Sequence, residues 1–383
     1  MTEHEQQKEM MPQQVNKKSA GGEKDLIRFW AELYKQKGWC KYARFNPKGG
    51  LNEAYVLLKY KNMIDPETRP DKYKKGRPIA PQTKHPMRQL FHLAGRAWAF
   101  IANNTPGEHF IIPHGGKVPE FFKEAGKLKE HGSLGHFIKD IEGCYPHMPK
   151  EIIRFAMRQT VSEIRDLTSY EAVEIPKKET EACRWKTGKK ARKGSIVIPT
   201  QDLLDIMEFA LDNTFIKDRH GKIVRQTKGI PMGDPHSPGM AIITCAWMEK
   251  EWMSNLADRD KKFFQAKRFM DDILCIYAKN PNWAHEEFVK DFSKSEVYVK
   301  PLRLEDGKEA TFLETRFDVK AQKIDFWLKN DNEMEKKIWR YNHFHSHCSF
   351  IQKGQRRQRT SDRTNHEPVQ KPLVYKKTVH TTL

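Results

Sequence analysis

The sequence predicts an α+β fold built around an antiparallel sheet, and three observations indicate it. Residues 267–277 place two adjacent carboxylates between two apolar runs of strand-like length and composition, which predicts a β-hairpin. Farther along, 297–304, 310–319 and 324–328 have strand patterns, with an Asp306-Gly307 turn between the first two, as in successive antiparallel strands. Apolar residues at helical spacing over 25–37 and 87–103 predict helices that cover a core.

The tip of the predicted hairpin carries Asp271 and Asp272, since Asp favours turns. Successive side chains of a strand point to opposite faces, so we expect only one of the two to head straight for a shared site. Adjacent negative charges need compensating cations, and a pair of Mg²⁺ ions serves where the substrate is a phosphate. The alternative is a solvated turn, which is the commoner role of such a pair.

Composition and charge narrow the choice of partner. The 383-residue chain has 69 Lys and Arg against 50 Asp and Glu, a net charge of +19, which favours nucleic acid over an anionic membrane surface. Basic residues cluster in 177–193 and 353–377, where Trp185 and Tyr375 would stack on bases or simply pack. No apolar run is long enough to span a membrane, and residues 1–24 lack the apolar core of a signal peptide. Six cysteines without CxxC spacing indicate free thiols and a reducing, intracellular compartment.

The first half of the chain supplies a third carboxylate. Strands at 54–61 and 72–81 carry Lys and Arg, which suits a grip on a triphosphate or template backbone, and equally a solvated basic hairpin. A strand at 135–141 has Asp140 near its end, followed by a bend at 144–146 and a helix that begins at Pro149. A strand-end Asp is a common metal ligand, although such a residue more often caps a helix or turn.

A glycine- and proline-rich loop at 229–238 follows a predicted hairpin at 215–227. Ser237 is expected as the N-cap and Pro238 as the first residue of the next helix, just as Thr200 is expected to cap an earlier helix. Backbone N–H groups and a positive helix end suit a nucleotide or a template base, although an ordinary loop-to-helix connection has the same pattern. In the polar tail, His343, His345, His347 and Cys348 match no common zinc pattern and are assigned to nucleic-acid contact or to the surface.

Three ordered motifs then resemble a known family, the reverse transcriptases. Asp140 with Tyr145 five residues on, the 229–238 loop, and Phe269-Met270-Asp271-Asp272 have the order and spacing of the reverse transcriptase palm, and the resemblance covers roughly residues 54–330. The wording of the loop is most similar to Penelope-like and related eukaryotic retroelement reverse transcriptases. Arg77-Pro78-Ile79 resembles the family's fingers motif, and Phe312-Leu313-Glu314 resembles its primer-grip hairpin. Met232 departs from the Gln of many members, and Phe269 from the common Tyr.

The resemblance implies a right-hand polymerase, an α+β fold with an antiparallel-sheet palm backed by helices. It divides the chain into a disordered N-terminal tail (1–23), fingers (24–130), a palm (131–330) with a basic insertion at 168–198, and a short thumb with a basic tail (331–383).

The implied activity is RNA-directed DNA polymerisation with two Mg²⁺ ions, or Mn²⁺, on an RNA template, from a DNA or RNA primer and deoxynucleotides. Asp140 and Asp271 would be the primary metal ligands and catalytic residues, with Asp272 in support and the backbone carbonyl of Ile141 joining them. Lys300 is the candidate proton donor to the pyrophosphate leaving group. The other implied contacts are nucleotide-binding (Tyr145 as a steric gate, Arg77, Lys59, Lys61, Met232, Gly233) or primer/template contacts (Phe312, Leu313 and also Lys300).

Two alternatives stay open. One is a degenerate reverse-transcriptase relative that only binds RNA. The other is an RNA-dependent RNA polymerase of the same palm fold, which Tyr145 disfavours because those enzymes usually carry Asp at that position. Residues 186–193 would pass for a nuclear localisation signal as well as for a nucleic-acid clamp, so a nuclear location is also open.

Overall fold

The computed structural model describes residues 22–58, 76–188, 190–294, 297–307, 311–313 and 315–328. The helices in these ranges are α1 (Glu23–Gln36), α2 (Arg88–Asn103), α3 (Val118–Ala125), α4 (Cys144–His147), α5 (Lys150–Thr168), α6 (Thr200–Asp212), α7 (Ser237–Asn255), α8 (Asp258–Lys261) and α9 (His285–Ser293), with 3₁₀ turns at Trp39–Lys41, Gly115–Lys117 and Gly126–His131. Within this part of the chain, no helix combines the length and apolar character that a bilayer crossing requires.

The strands are β1 (Tyr55–Leu58), β2 (Gly76–Ile79), β3 (Ser133–Glu142), β4 (Ala172–Pro176), β5 (Arg184–Lys186), β6 (Ser195–Pro199), β7 (Phe215–Lys217), β8 (Ile223–Arg225), β9 (Phe264–Phe269), β10 (Asp272–Lys279), β11 (Arg303–Asp306), β12 (Thr311–Phe312), β13 (Thr315–Lys320) and β14 (Lys323–Leu328). All pairs of neighbouring strands are antiparallel. The mixed helix and antiparallel-sheet architecture expected from the sequence is therefore confirmed.

The central sheet has four strands in the order β11-β3-β10-β9. The predicted hairpin over 267–277 is confirmed as β9 and β10, and the strand predicted at 135–141 is β3. The outer edge of β9 is covered by a segment beside α3, because Ile112 N–H donates to the carbonyl of Arg268 (2.9 Å) and Ile111 forms a parallel bridge with Arg268. Residues 273–276 of β10 are fully buried, so this strand lies at the centre of the core.

Helices cover one face of the central sheet. Arg268 and Phe137 share this face by register, and Arg268 contacts Glu249 of α7 while the Phe137 ring lies 4.9 Å from that of Phe292 in α9. On the opposite face the ring of His136 lies 5.3 Å from that of Phe317 in β13. Asp140 and Asp272 belong to this second face, away from the helices.

Helix α2 illustrates how the helical layer is specified. Leu90, Ala94, Trp98 and Ile101 recur at three- and four-residue spacing and are fully buried, as an amphipathic helix requires. Close packing against α7 depends on Gly239, since a Cβ there would lie 2.7 Å from the Cβ of Trp98. The helix therefore forms as predicted, with bounds one residue from the predicted start.

Four smaller sheets complete the described part. They are the β1–β2 pair, the β5-β4-β6 sheet built from the predicted basic insertion, the β7–β8 hairpin around His220-Gly221, and the β12-β13-β14 sheet. The β7–β8 hairpin confirms the prediction made from Gly221, which has φ of 75° in the tight turn.

Two predicted caps are wrong. Pro199 and His236 occupy the N-cap positions of α6 and α7. The Thr200 hydroxyl instead donates to the carbonyl of Glu171 (3.1 Å), and the Ser237 hydroxyl donates to that of Pro231 (2.6 Å). Both hydroxyls are used in tertiary contacts, which local cap rules do not include.

Two predicted strands also differ. The strand expected over 297–304 is confined to β11, because Pro301 lacks the N–H that a ladder needs. The strand expected over 310–319 is split into β12 and β13 by a turn in which Leu313 has φ of 57°. Residues outside the described ranges include 1–21 of the N-terminal tail, Lys59, Lys61, Glu314, the His343–Cys348 cluster and the basic tail. Glu23, assigned to that tail, is the first residue of α1. The predicted division into fingers, palm and thumb stays a prediction.

Candidate active site

Two carboxylates from separate parts of the chain face each other across β3 and β10. Asp272 pairs directly with Asp140 in the antiparallel register. The N–H of Ile141 donates to the carbonyl of Asp271 at 3.0 Å, which makes Asp140 and Asp272 a non-hydrogen-bonded pair. In such a pair the Cα atoms lie about 4.5 Å apart and the side chains project from the same face. Asp140 is half-buried and Asp272 is exposed.

This pairing fits a divalent cation. Like charges directly opposite each other in a sheet are destabilising, so a cation between them stabilises the arrangement. Mg²⁺ is usually held by one or two carboxylates together with substrate phosphates and water, and does not need an all-protein cage. Among the described residues, no three His, Cys, Asp or Glu side chains are gathered into a metal-binding group.

The third carboxylate, Asp271, lies in the turn between β9 and β10 and not on a strand. Tyr145 is half-buried, and it lies near enough to Asp271 to be influenced by its charge. Burial raises the pKa of Tyr145, and the nearby Cys144 and Asp271 raise that pKa further, so its hydroxyl stays protonated. The register therefore makes Asp272 the direct partner of Asp140. The ranking of Asp271 as primary ligand stays a prediction.

The turn that carries Asp271 is strained. Phe269 pairs with Asp272, which leaves a two-residue loop of Met270 and Asp271. Met270 has φ of 59°, a conformation that the first residue of a type II′ turn adopts and for which glycine is usual. A side chain in this region costs of order 1–3 kcal/mol and persists only when its surroundings impose it.

Arg268 imposes this conformation. Its Nη1 donates to the carbonyl of Met270 at 2.8 Å, and its Nη2 donates to the carbonyl of Ile242 at 3.2 Å. Its Nε donates to Glu249, whose side chain is fully buried, as is that of Arg268. Burial alone would lower the pKa of Arg268, but the charge of Glu249 outweighs that effect and raises it, so Arg268 keeps its charge.

Glu249 is held in turn by two further donors. The hydroxyl of Tyr298 donates to its Oε1 at 2.8 Å, and the N–H of Phe110 donates to its Oε2 at 2.9 Å. A buried ion pair is stable only when its remaining polar atoms are satisfied in this way. The network of Arg268, Glu249 and Tyr298 thus fixes the turn from the helix-covered face of the sheet, while Asp140 and Asp272 lie on the other face.

The 229–238 loop makes backbone contacts with two regions that carry predicted nucleotide-binding residues. At its start, Ile230 N–H donates to the carbonyl of Tyr145 (2.9 Å), and Gly229 (φ 64°) lies so close that a Cβ would be 2.4 Å from that oxygen. At its middle, the carbonyl of Met232 accepts from Ala80 N–H at 2.8 Å. Ala80 directly follows β2, the strand of Arg77. One loop therefore links the backbone of Tyr145 to that strand.

The other predicted site residues are less closely connected. Arg77 is exposed on β2, Met232 is half-buried and Gly233 is exposed. Phe312 is 1% exposed and belongs to the core, and Leu313 is half-buried in the turn after it. Lys300 is exposed beside Pro301, ahead of β11. The described contacts place Asp140 opposite Asp272, and the carbonyl of Asp271 accepts from the N–H of Ile141, the residue after Asp140.

Several residues of this region were not predicted from the sequence. Arg268 shares a strand face with Ala266 and Phe264, so its burial follows from the period of two. Asp234 and His236 form a second buried pair at the end of the loop (2.8 Å), and the adjacent His85 stacks between Trp30 and Phe91. Burial lowers the pKa of His85 to about 4, so it is neutral.

No protein-family model matches the sequence, and no curated protein matches it. Similar solved structures include telomerase from Candida albicans in complex with a TWJ fragment of telomeric RNA, with 12% identity, 80% of this chain and 50% of that chain covered, and a TM-score of 0.48. Apo telomerase from Candida tropicalis has 14% identity, with 77% of this chain and 52% of that chain covered and a TM-score of 0.44. The Sicinivirus 3Dpol RNA-dependent RNA polymerase has 11% identity, with 78% of this chain and 56% of that chain covered and a TM-score of 0.36. This chain thus spans about half the length of these structures. Likenesses this distant carry no argument about activity, which depends on the geometry of the carboxylates and the loop.

Proposed function

We propose that the chain is an RNA-directed DNA polymerase that adds deoxynucleotides to a primer 3′-hydroxyl. The observation that carries the proposal is the direct pairing of Asp140 with Asp272, next to a turn that holds Asp271 in a strained conformation. Strain maintained by a buried network is typical of functional sites. A turn that is merely solvated would not require such a network to hold a strained residue.

The carboxylates would hold two Mg²⁺ ions, or Mn²⁺, with the backbone carbonyl of Ile141 as a further ligand. Bound there, such ions supply the charge stabilisation of an in-line displacement at the α-phosphate. Asp140 and Asp272 supply negative charge from a rigid sheet, and Asp271 supplies it from the turn. Arg77, with Lys59 and Lys61, would bind the triphosphate, and Lys300 remains the candidate donor of a proton to pyrophosphate.

Tyr145 is the proposed sugar selector. Its backbone carbonyl accepts a hydrogen bond from Ile230 and its ring is half-buried, so the ring has little freedom to move aside. A fixed ring at this position would clash with a ribose 2′-hydroxyl and admit a deoxyribose, which is selection by exclusion. We expect Tyr145→Ala to incorporate ribonucleotides that the wild type rejects.

Primer extension on an RNA template with Mg²⁺ and deoxynucleotides tests the proposal. We expect extension by the wild type and background incorporation by Asp140→Asn, Asp271→Asn and Asp272→Asn, because each change removes a charge without changing shape. Asp258→Asn is the matched control, since that carboxylate is 96% exposed on α8 and outside the site. Extension by Asp140→Asn at the wild-type rate would overturn the proposed chemistry.

The same assay separates the alternatives. Salt-dependent RNA binding by the wild type without any incorporation would assign the chain to RNA binding alone. Preference for ribonucleotides over deoxynucleotides by the wild type would assign it to RNA synthesis and would also contradict the role proposed for Tyr145.

A further inference from the structure

A strongly basic surface lies outside the carboxylate site. We call residues 172–199, which form the β5-β4-β6 sheet and its connections, the basic insert. Its exposed acids are Glu179 and Glu181. Its described exposed cations are Lys177, Lys178, Arg184, Lys190, Arg192 and Lys193.

The cations of the basic insert lie away from the core. Val173 and Ile175 are fully buried, and Trp185, on the same sheet face by register, packs with its ring 4.9 Å from that of Phe100 in α2. The opposite face carries Glu174 and Arg184, which pair across β4 and β5. The aromatic ring of the cluster is therefore used for packing, and the positive charge is directed to solvent.

One buried acid, Glu174, contacts the connection between β5 and β6 without neutralising the positive charge of the basic insert. Glu174 is 2% exposed, accepts from the N–H of Arg192 at 2.8 Å and forms ion pairs with Arg192 (3.4 Å) and Lys186 (4.0 Å). One carboxylate thus faces two cations. In the part of the chain that the structure describes, no carboxylate lies within 4.0 Å of the cationic groups of Lys177, Arg184, Lys190 or Lys193.

The basic insert is rigidly attached to α2. Arg96 donates from Nη1 to the carbonyl of Pro176 (2.6 Å) and from Nη2 to those of Lys178 (3.4 Å) and Glu181 (3.1 Å). The Lys177 N–H donates to the carbonyl of Gly194 at 2.8 Å, which ties the two connections of the sheet together. A surface fixed in this way loses little conformational entropy when it binds a partner.

The same turn of α2 touches the candidate site. Gly95, next to Arg96, lies so close to the 229–238 loop that a Cβ would be 2.4 Å from the carbonyl oxygen of Pro235. A helix with its side chains is about 10–12 Å in diameter, so the basic insert and the loop are separated by roughly one helix. A strand of nucleic acid that follows the loop is within reach of the insert.

We propose that the basic insert is a second RNA-binding surface, which holds the backbone of the template outside the carboxylate site. The described residues of the insert include no exposed large apolar side chain, whereas the core of an interface with a folded protein is usually apolar or aromatic. Unpaired cations on a fixed scaffold suit phosphates. That the bound RNA is the template rests on the proposed function, whereas RNA binding by the basic insert does not.

The test is the salt dependence of binding to a 5′-fluorescein-labelled, 30-nucleotide single-stranded RNA, measured by anisotropy in EDTA without nucleotides. The variant K177Q/R184Q/K190Q/K193Q removes four described cations of the insert that have no carboxylate within 4.0 Å among the described residues. The control variant K24Q/K35Q/K123Q/K129Q removes four exposed cations from α1, α3 and the turn after α3. Each phosphate contact contributes about 0.7 to the slope of log affinity against log salt, so losing four lowers the slope by about 2.8. That is about a 50-fold smaller fall in affinity between 50 and 200 mM salt.

Equal slopes for the insert variant and the control variant would overturn the proposal. So would an unchanged RNA slope accompanied by lost binding to a polyglutamate peptide, which would assign the surface to an acidic protein. Asp140→Asn should bind this RNA as the wild type does. A wild type that binds through the basic insert but incorporates nothing would overturn the proposed function and leave the RNA surface standing.

Discussion

Replacing Arg268 by Met is expected to destabilise the fold strongly. Arg268 is the cation that faces Glu249, and both side chains are fully buried. Removing one partner of a buried pair leaves an uncompensated charge, which costs about 3–5 kcal/mol of unfolding free energy. Urea unfolding of Arg268→Met measures this loss directly.

A second change should restore most of that stability. Glu249→Gln removes the charge left behind in Arg268→Met and keeps an oxygen for the N–H of Phe110, which donates to Oε2 in the wild type. Replacing both members of a buried pair is often close to neutral, so we expect the double variant to unfold within about 1–2 kcal/mol of the wild type.

Activity should not recover with stability. The double variant still lacks the Nη1 group that donates to the carbonyl of Met270, so the strained turn before Asp271 loses the contact that fixes it. A misplacement of about 1 Å costs on the order of 10²-fold in rate. We expect kcat for single-nucleotide incorporation to fall by that factor, with a smaller change in KM.

The matched control is Arg154→Met with Glu208→Gln, an ion pair of 2.7 Å between α5 and α6 that makes no described contact with the hairpin. It should leave kcat unchanged. If the Arg268→Met, Glu249→Gln variant folds and turns over at the wild-type rate, the network stabilises the core and does not position the carboxylates.

Three further outcomes are expected. Gly221→Ala should lower the free energy of unfolding in urea by roughly 1 kcal/mol, and Gly229→Ala should lower it several times as much. Both glycines have positive φ, but only at Gly229 would a Cβ meet the carbonyl of Tyr145. Equal losses of unfolding free energy would contradict this reasoning. Because His85 has an ordinary pKa of 6.5 when unfolded and about 4 when folded, the folded chain binds fewer protons in that window. Stability should therefore fall by up to about 3 kcal/mol as pH drops from 6.5 to 4, and His85→Gln should flatten this part of the curve; an unchanged slope refutes it. Mg²⁺ at 100 times its Kd should raise the unfolding free energy of the wild type by about 2.7 kcal/mol relative to EDTA, and it should not raise that of Asp140→Asn. An equal gain for both proteins would exclude Asp140 as part of the Mg²⁺ site.

The hairpin around Asp271 could be predicted because its signals are local, namely turn-forming residues between two apolar strands. The pairing partner of Asp140 could not be predicted in detail. Register depends on contacts between distant parts of the chain, and these make Asp272 the residue directly opposite. The roles of both residues in metal binding and catalysis stay predictions.

Arg268 shows a different limit. A charged residue in a strand ordinarily indicates a solvent-facing position. Alternation with Phe264 and Ala266 places Arg268 on the buried face, but the sequence does not show that Glu249 on α7 is its partner. The wrongly predicted caps at Thr200 and Ser237 have a similar cause. Each hydroxyl donates to a carbonyl that helix-capping rules based on local sequence do not consider.

Because Asp140 pairs directly with Asp272, the candidate site is sensitive to changes in the length of its strands as well as to changes of residue type. Side chains alternate with a period of two, so one residue inserted into or deleted from β3 or β10 would turn a carboxylate toward the helices. The hydrogen bonds that Ile112 and Phe110 form with Arg268 of β9 oppose any sliding of the strands that would absorb such a change. Length variation is therefore confined to the connections between these strands, and the 168–198 insertion lies in the longest of them. The chain can acquire new surfaces there while the distance between its two opposed carboxylates stays constant.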